Sequence, residues 1–148
     1  MRFDQNPNGK ILLAAWIALS MLSSAVSAQV KNPATVHIYR YRLSVGQAKH
    51  PTVSCDAFPI AKMQNGRIYT MKVSAGRHVF STSDDPTGIQ VDIASGNEYF
   101  VRIDYPPNVT YAERAIAVLV APEQGRMETL KMRPLDGRFI EAATCGNP

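Results

Sequence analysis

Ile89-Gln90-Val91-Asp92-Ile93, then Ser95-Gly96-Asn97, then Tyr99-Phe100-Val101-Arg102-Ile103-Asp104-Tyr105 is the stretch whose reading decides the fold. Apolar side chains recur at every second position on either side of a Gly-Asn turn, and a period of two places successive side chains on opposite faces of a strand. Ile89, Val91 and Ile93 alternate with Gln90 and Asp92, so this strand has one wet face. Ser95-Gly96-Asn97 reads as a hairpin turn. Pro106-Pro107 ends the second strand, since neither proline can donate to a ladder.

The same pattern repeats outward from this stretch. On the N-terminal side, Asp84-Asp85-Pro86-Thr87-Gly88 is a turn, Arg77 to Ser83 and Arg67 to Val73 are strands, and Ser74-Ala75-Gly76 turns one into the other. Tyr69, Met71 and Val73 share one face. Gln64-Asn65-Gly66 supplies a turn in which Asn and Gly accept positive φ. Val53 to Met63 reads as two short strands around Asp56 to Pro59, and Ala34 to Leu43, rich in β-branched and aromatic residues, is the first strand. On the C-terminal side, Ala115 to Ala121 is apolar throughout, as expected of a central strand or one covered on both sides. Glu123-Gln124-Gly125 then turns the chain into Met127 to Arg133, a final strand, with one or two helical turns as the alternative. Helical stripes are nearly absent. Seven or eight short strands joined by hairpin turns predict an all-β chain, a single antiparallel two-layer β-sandwich over residues 34–133, followed by an irregular tail over 134–148.

The N-terminus predicts export. Arg2 and Lys10, diluted by Asp4, precede the apolar run Ile11 to Leu22, and the small residues Ser23 to Ala28 follow, with Val26 and Ala28 where a signal peptidase selects modest side chains. An apolar run of about 12 residues is short beside the ~20 needed to span a bilayer, so cleavage after Ala28 is expected, with no transmembrane anchor left behind. Residues 29–33 are then a short linker. The remaining 120 residues (148 less 28) carry 14 basic and 11 acidic side chains, a net charge of +3 scattered without any Lys/Arg run. That balance excludes a nucleic-acid-binding signature and implies weak attraction to anionic surfaces.

Cys55 and Cys145 are the only cysteines. In an oxidising compartment a disulfide is the leading reading, and it ties the tail to the sandwich. Across 90 residues the chain-entropy model allows up to ~4.5 kcal/mol. There is no Cys-x-x-Cys, and neither cysteine has a histidine or second cysteine at metal-ligand spacing in the sequence. His37, His50 and His78 share no short spacing, so no metal or cofactor is predicted. His78 is read as packed over the turn beside Gly76 and bonded to its backbone, and Asp84-Asp85 as turn chemistry. No Gly-x-Ser-x-Gly elbow, phosphate-cradling loop or recognisable carboxylate pair occurs, and the sequence predicts no catalytic residue. Asn108-Val109-Thr110 has the form of a glycosylation acceptor and is discounted.

Val36-His37-Ile38-Tyr39-Arg40, Val45-Gly46-Gln47-Ala48, Lys62 to Tyr69, Val73-Ser74-Ala75-Gly76-Arg77-His78-Val79-Phe80 and Gly96-Asn97-Glu98-Tyr99-Phe100-Val101-Arg102 follow one another in an order that resembles the bacterial domain of unknown function 2846, over roughly Ala34 to Asp104. The small-Gly-x-His element resembles that of PEGA and other transthyretin-like domains, where it marks a hairpin. The resemblance implies a prealbumin-like β-sandwich in the bacterial envelope, periplasmic or secreted, with no known activity. Ala57-Phe58-Pro59 departs from a turn in which family members often have glycine.

In the first strand Arg40 and Arg42 share a face with Val36 and Ile38, while His37, Tyr39 and Tyr41 share the other, so neither face is simply apolar. Arg40, Tyr41 and Arg42 are therefore the expected interaction surface, because Tyr and Arg carry interface energy efficiently. The competing reading pairs Arg40 with a carboxylate such as Asp104 or Glu98. The expected function is a non-catalytic exported module that binds or scaffolds an envelope protein or polymer. A carbohydrate- or lipid-binding accessory domain and a hydrolase with an unrecognised site are the alternatives, and no oligomeric state is implied.

Overall fold

In the computed structural model the alternation of Arg67–Val73 is intact: Tyr69, Met71 and Val73 are buried, and Thr70 and Lys72 face solvent. The structure describes residues 32–44, 46–106, 114–142 and 144–145. The expected signal peptide (1–28), residues 29–31 of the linker and the sequon at Asn108 lie outside the described residues. Those described belong to the unit Lys31–Pro148. No helix among them is long and apolar enough to cross a membrane.

Among the described residues nine strands form two sheets: β1 Ala34–Tyr39, β2 Thr52–Cys55, β3 Phe58–Lys62, β4 Arg67–Val73, β5 Gly76–Thr82, β6 Ile89–Ile93, β7 Glu98–Asp104, β8 Ile116–Val120 and β9 Arg133–Pro134. One sheet has the order β8-β7-β1-β4-β9 and the other β3-β2-β5-β6. Val36, Ile38, Met71, Val101 and Ile103 of the first pack against Val53, Ile60, Phe80, Val91 and Ile93 of the second in one core. This is the expected all-β sandwich.

The pairing differs from the expected antiparallel arrangement in two places. β1 lies between β4 and β7, antiparallel to the first and parallel to the second, with Ile38 opposite Val101. The two-residue β9 runs parallel to β4. Alternation of side chains is the same in either kind of ladder, so residue pattern does not distinguish them. The turns expected to be hairpins also divide. Asp56-Ala57 closes the β2–β3 hairpin within one sheet, but Ser74-Ala75-Gly76 and Ser95-Gly96-Asn97 carry the chain from one sheet to the other. Asn32 seals the second of these arches, its carbonyl accepting from Gly96 N and Ser95 Oγ.

β8 is an edge strand, with Leu119 49% exposed, although its unbroken apolar run suggested a central one. The segment after it is a helix, α1 Pro122–Thr129, which packs on β7. The turn expected at Glu123-Gln124-Gly125 and part of the final strand expected from Met127 are thus helical. Pro122 stands at the start of α1, where its missing N–H costs nothing. Gly125 lets the helix settle on Phe100, which with Tyr39 and Val120 forms a second, smaller core on the outer face of the five-stranded sheet.

The tail laces the two sheets together along one edge. β9 pairs with β4, Ile140 bridges to Ala61 of β3, Glu141 N donates to Ile60 O, and Tyr69 Oη donates to Ala142 O at 2.8 Å. The Cys55–Cys145 disulfide then ties its far end, with Cα atoms 5.2 Å apart.

Candidate functional site

β1 stops at Tyr39, four residues earlier than the sequence suggests, and the side chain of Arg40 points inward, on the face it shares with Val36 and Ile38. Arg40 is fully buried, and it is the largest side chain to be so among the described residues. Its guanidinium donates to Gly46 O at 2.6 Å, Lys49 O at 2.6 Å and Met63 O at 3.4 Å, and lies 4.7 Å from the Tyr105 ring centroid. Carbonyl oxygens and an aromatic face supply the compensation that a buried cation requires. Arg40 is therefore not part of an exposed interaction surface. It clamps the loop that follows β1, and Gly46, with φ of +64°, permits the turn there.

Arg42 and Tyr41, beyond the clamp, do reach a surface cleft of about 600 Å³. One wall is the 41–50 loop, with Tyr41, Arg42, Gln47 and His50; another is the Gln64 to Arg67 turn; the third is Glu128 of α1 with Lys131, Met132 and Arg133 after it. The first two walls are stapled: Leu43 N donates to Asn65 Oδ1 at 3.0 Å and Asn65 Nδ2 donates to Leu43 O at 2.8 Å. Gly66, at φ +71°, brings the second turn against the Arg42 side chain, and Arg67 opposite Arg133 in the β4–β9 ladder joins the third wall.

The cleft is strongly positive. Arg42, Arg67, Lys131 and Arg133 line it, and none of the four forms an ion pair with a described residue. The single acid in the lining, Glu128, is already occupied by Tyr39 Oη, Arg102 Nη1 at 3.0 Å and Gln124 Nε2 at 2.6 Å. Desolvation pushes the Glu128 carboxyl up, but these hydrogen bonds outweigh it and hold the group below the ordinary carboxylate value. Burial, aided by Glu128, pushes the Tyr39 hydroxyl far above its usual range. Arg102 also bonds Asp104 and lies 5.7 Å from the Tyr41 ring, fixing that side chain at the mouth of the cleft. The cleft thus presents guanidinium and ammonium groups with amide donors, a set suited to phosphate or carboxylate oxygens.

At the other end of the described fold, His78 is 8% exposed and bonded to backbone as the sequence suggested, Nε2 lying 3.0 Å from Ser74 O. Its Nδ1 lies 2.6 Å from Asp56 Oδ2, while Asp56 Oδ1 accepts from Val79 N at 2.8 Å, a pairing that sequence spacing did not signal. His37 bridges Thr70 and Glu98, and Glu98 also binds Arg126. Arg67, Lys131 and Arg133 had no signal in the sequence beyond their charge, because three separate segments bring them together.

Comparison with protein-family models, with curated proteins and with solved structures finds no match in any of the three. The class defined by fold and site is an all-β sandwich with a basic cleft at the loop end of β1.

Proposed function

We propose that this chain is an exported, non-catalytic binding module of the bacterial cell envelope, and that the basic cleft holds a polyanionic envelope component. The observation that carries this reading is the convergence of four cations with no acidic partner among the described residues, on walls clamped in place by Arg40 and Asn65. A signal-peptide-like N-terminus, a disulfide suited to an oxidising compartment and the likeness to the domain of unknown function 2846 support the cellular setting. The polar lining favours an anionic polymer over a neutral sugar or a lipid tail, which would need an apolar pocket. A hydrolase is less favoured because both nitrogens of His78, the one buried histidine with a carboxylate on its ring, are already bonded.

The test is retention on immobilised polyphosphate and on a polyuronate at graded salt. Reversing Arg42 and Lys131 together to Glu should weaken retention at least about tenfold, since each basic group near an anionic surface contributes roughly 1 kcal/mol. Reversing Arg77 and Arg138, which are exposed outside the cleft, changes net charge equally and should leave most of the affinity. Equal losses in the two variants would reject the cleft as the site.

A further inference from the structure

Cys55, Asp56, His78 and Cys145 offer ligand atoms that all lie within 4.8 Å of one another. Four segments assemble them: Cys55 ends β2, Asp56 opens the hairpin turn, His78 lies on β5, and Cys145 arrives with the tail. We propose that reduction of the Cys55–Cys145 bond turns this cluster into a tetrahedral site for a thiophilic divalent metal, zinc in the first instance. Its ligands are Cys55 Sγ, Cys145 Sγ, His78 Nδ1 and Asp56 Oδ2. The site is independent of the basic cleft.

The hydrogen bonds around the cluster are those a metal site needs. His78 Nε2 faces the Ser74 carbonyl at 3.0 Å, which can only accept; Nε2 therefore carries a hydrogen and Nδ1 is the nitrogen left to ligate. Asp56 Oδ1 is held by Val79 N–H at 2.8 Å, which leaves Oδ2. Backbone groups thus orient both ligands from behind, the arrangement that fixes tautomer and direction at zinc centres. With the disulfide closed, Nδ1 and Oδ2 are 2.6 Å apart, so a proton lies between them, and the metal takes that proton's place. Tetrahedral zinc, with bonds of about 2.0 Å to N and O and about 2.3 Å to S, sets its ligand atoms about 3.3–3.8 Å apart, so the His–Asp pair opens by under about 1 Å. Cys55 and His78 are buried, and the mixed S₂NO donor set suits zinc over magnesium or calcium, which take oxygen ligands.

The chemistry balances with a dithiol as reductant. The disulfide takes two electrons and two protons from the dithiol, which becomes a disulfide itself. Zinc then binds as both thiols and the proton shared by Nδ1 and Oδ2 are released to solvent, leaving two thiolates, a neutral imidazole and a carboxylate around the ion.

Cobalt(II) is the probe, added without oxygen to the purified protein before and after reduction by a dithiol that is then removed. Reduced protein should bind one cobalt per chain with the thiolate-to-cobalt charge-transfer band and the intense visible bands of a tetrahedral ion, and zinc should bleach them. Oxidised protein should show neither band. Asp56→Asn and His78→Gln should each weaken cobalt binding about tenfold or more. X-ray absorption of the zinc form, which depends on no variant, should show two sulfur and two N/O ligands. If reduction loosens the fold, zinc should restore the circular dichroism of the oxidised form. A reduced protein without the charge-transfer band, variants that bind as well as the parent, a sulfur-only shell, or a reduced chain that zinc does not refold would each overturn the proposal.

Discussion

Replacing Arg40 by Met separates a buried structural clamp from a surface binding residue. Arg40 is 0% exposed and makes two hydrogen bonds of 2.6 Å to the carbonyls of Gly46 and Lys49, besides the longer one to Met63 and the stack on Tyr105. Hydrogen bonds to a charged group contribute about 1.5–3 kcal/mol each, so the two short ones amount to roughly 4 kcal/mol. Methionine keeps most of the volume and removes the cost of burying a charge, which offsets part of that loss, while the Lys49 carbonyl is left without its guanidinium donor. The expected net loss is about 3 kcal/mol, read as a shift in urea midpoint at constant slope. Arg42→Met, on an exposed side chain, should stay within about 0.5 kcal/mol. The two variants should invert in polyanion retention measured where both are folded: Arg42→Met removes a cleft cation and weakens retention at unchanged stability. A loss below about 1 kcal/mol for Arg40→Met, or an equal loss for Arg42→Met, would refute the reasoning.

Three further outcomes are expected. Asp56 and Ala57 sit at φ of 51° and 69° in the β2–β3 turn, and left-handed backbone costs a side chain roughly 1–2 kcal/mol. Ala57→Gly should therefore stabilise the fold by about 0.5–1 kcal/mol in denaturant unfolding, and a destabilised variant would show the turn to be unstrained. Gly125→Ala places a Cβ 2.2 Å from Phe100 Cγ, within the second core, and should cost about 2 kcal/mol, loosening α1 in hydrogen exchange before the sheets. The Glu98 carboxyl is pushed up by desolvation but held below its ordinary value of 4.5 by Arg126 and His37, as Glu128 is by its own donors. Because these folded values are depressed, their stabilisation is fully present above the unfolded value and is lost as pH falls through the folded one. Unfolding stability should thus decline below about pH 4.5, and Glu98→Gln should flatten that decline.

Much of the architecture is legible in the chain itself. β4 has the bounds its alternation predicts, β6 and β7 follow theirs closely, and the Asn65-Gly66 turn lies where positive φ is tolerated. α1 was misread because its apolar anchor is not a stripe on the helix: Gly125 is the only helix residue that is buried, and it meets Phe100 from another element. β8 was misplaced because an apolar run does not by itself separate an edge strand from a central one: Val120 is buried beside Tyr39 and Phe100 while Leu119 is exposed at the sheet edge. Arg42 and Tyr41, which the sequence singles out, both line the cleft, the first exposed and the second half-buried. Their partners Arg67, Lys131 and Arg133 were not, being distant in sequence and ordinary in composition.

Period-two burial, turn residues and the single cysteine pair are local properties, carried by side-chain chemistry whatever the strands pair with, so they specify an all-β chain with one cross-link from residues alone. Which strands are neighbours, whether a ladder is parallel, whether a turn stays in its sheet or crosses to the other, and which charges converge depend on how two sheets close over one core. That closure sends Arg40 inward to three carbonyls and leaves Arg42, two residues on, at the mouth of a basic cleft. It also sets Asp56 and His78 beside a disulfide 90 residues long, because only the folded tail brings Cys145 back to β2.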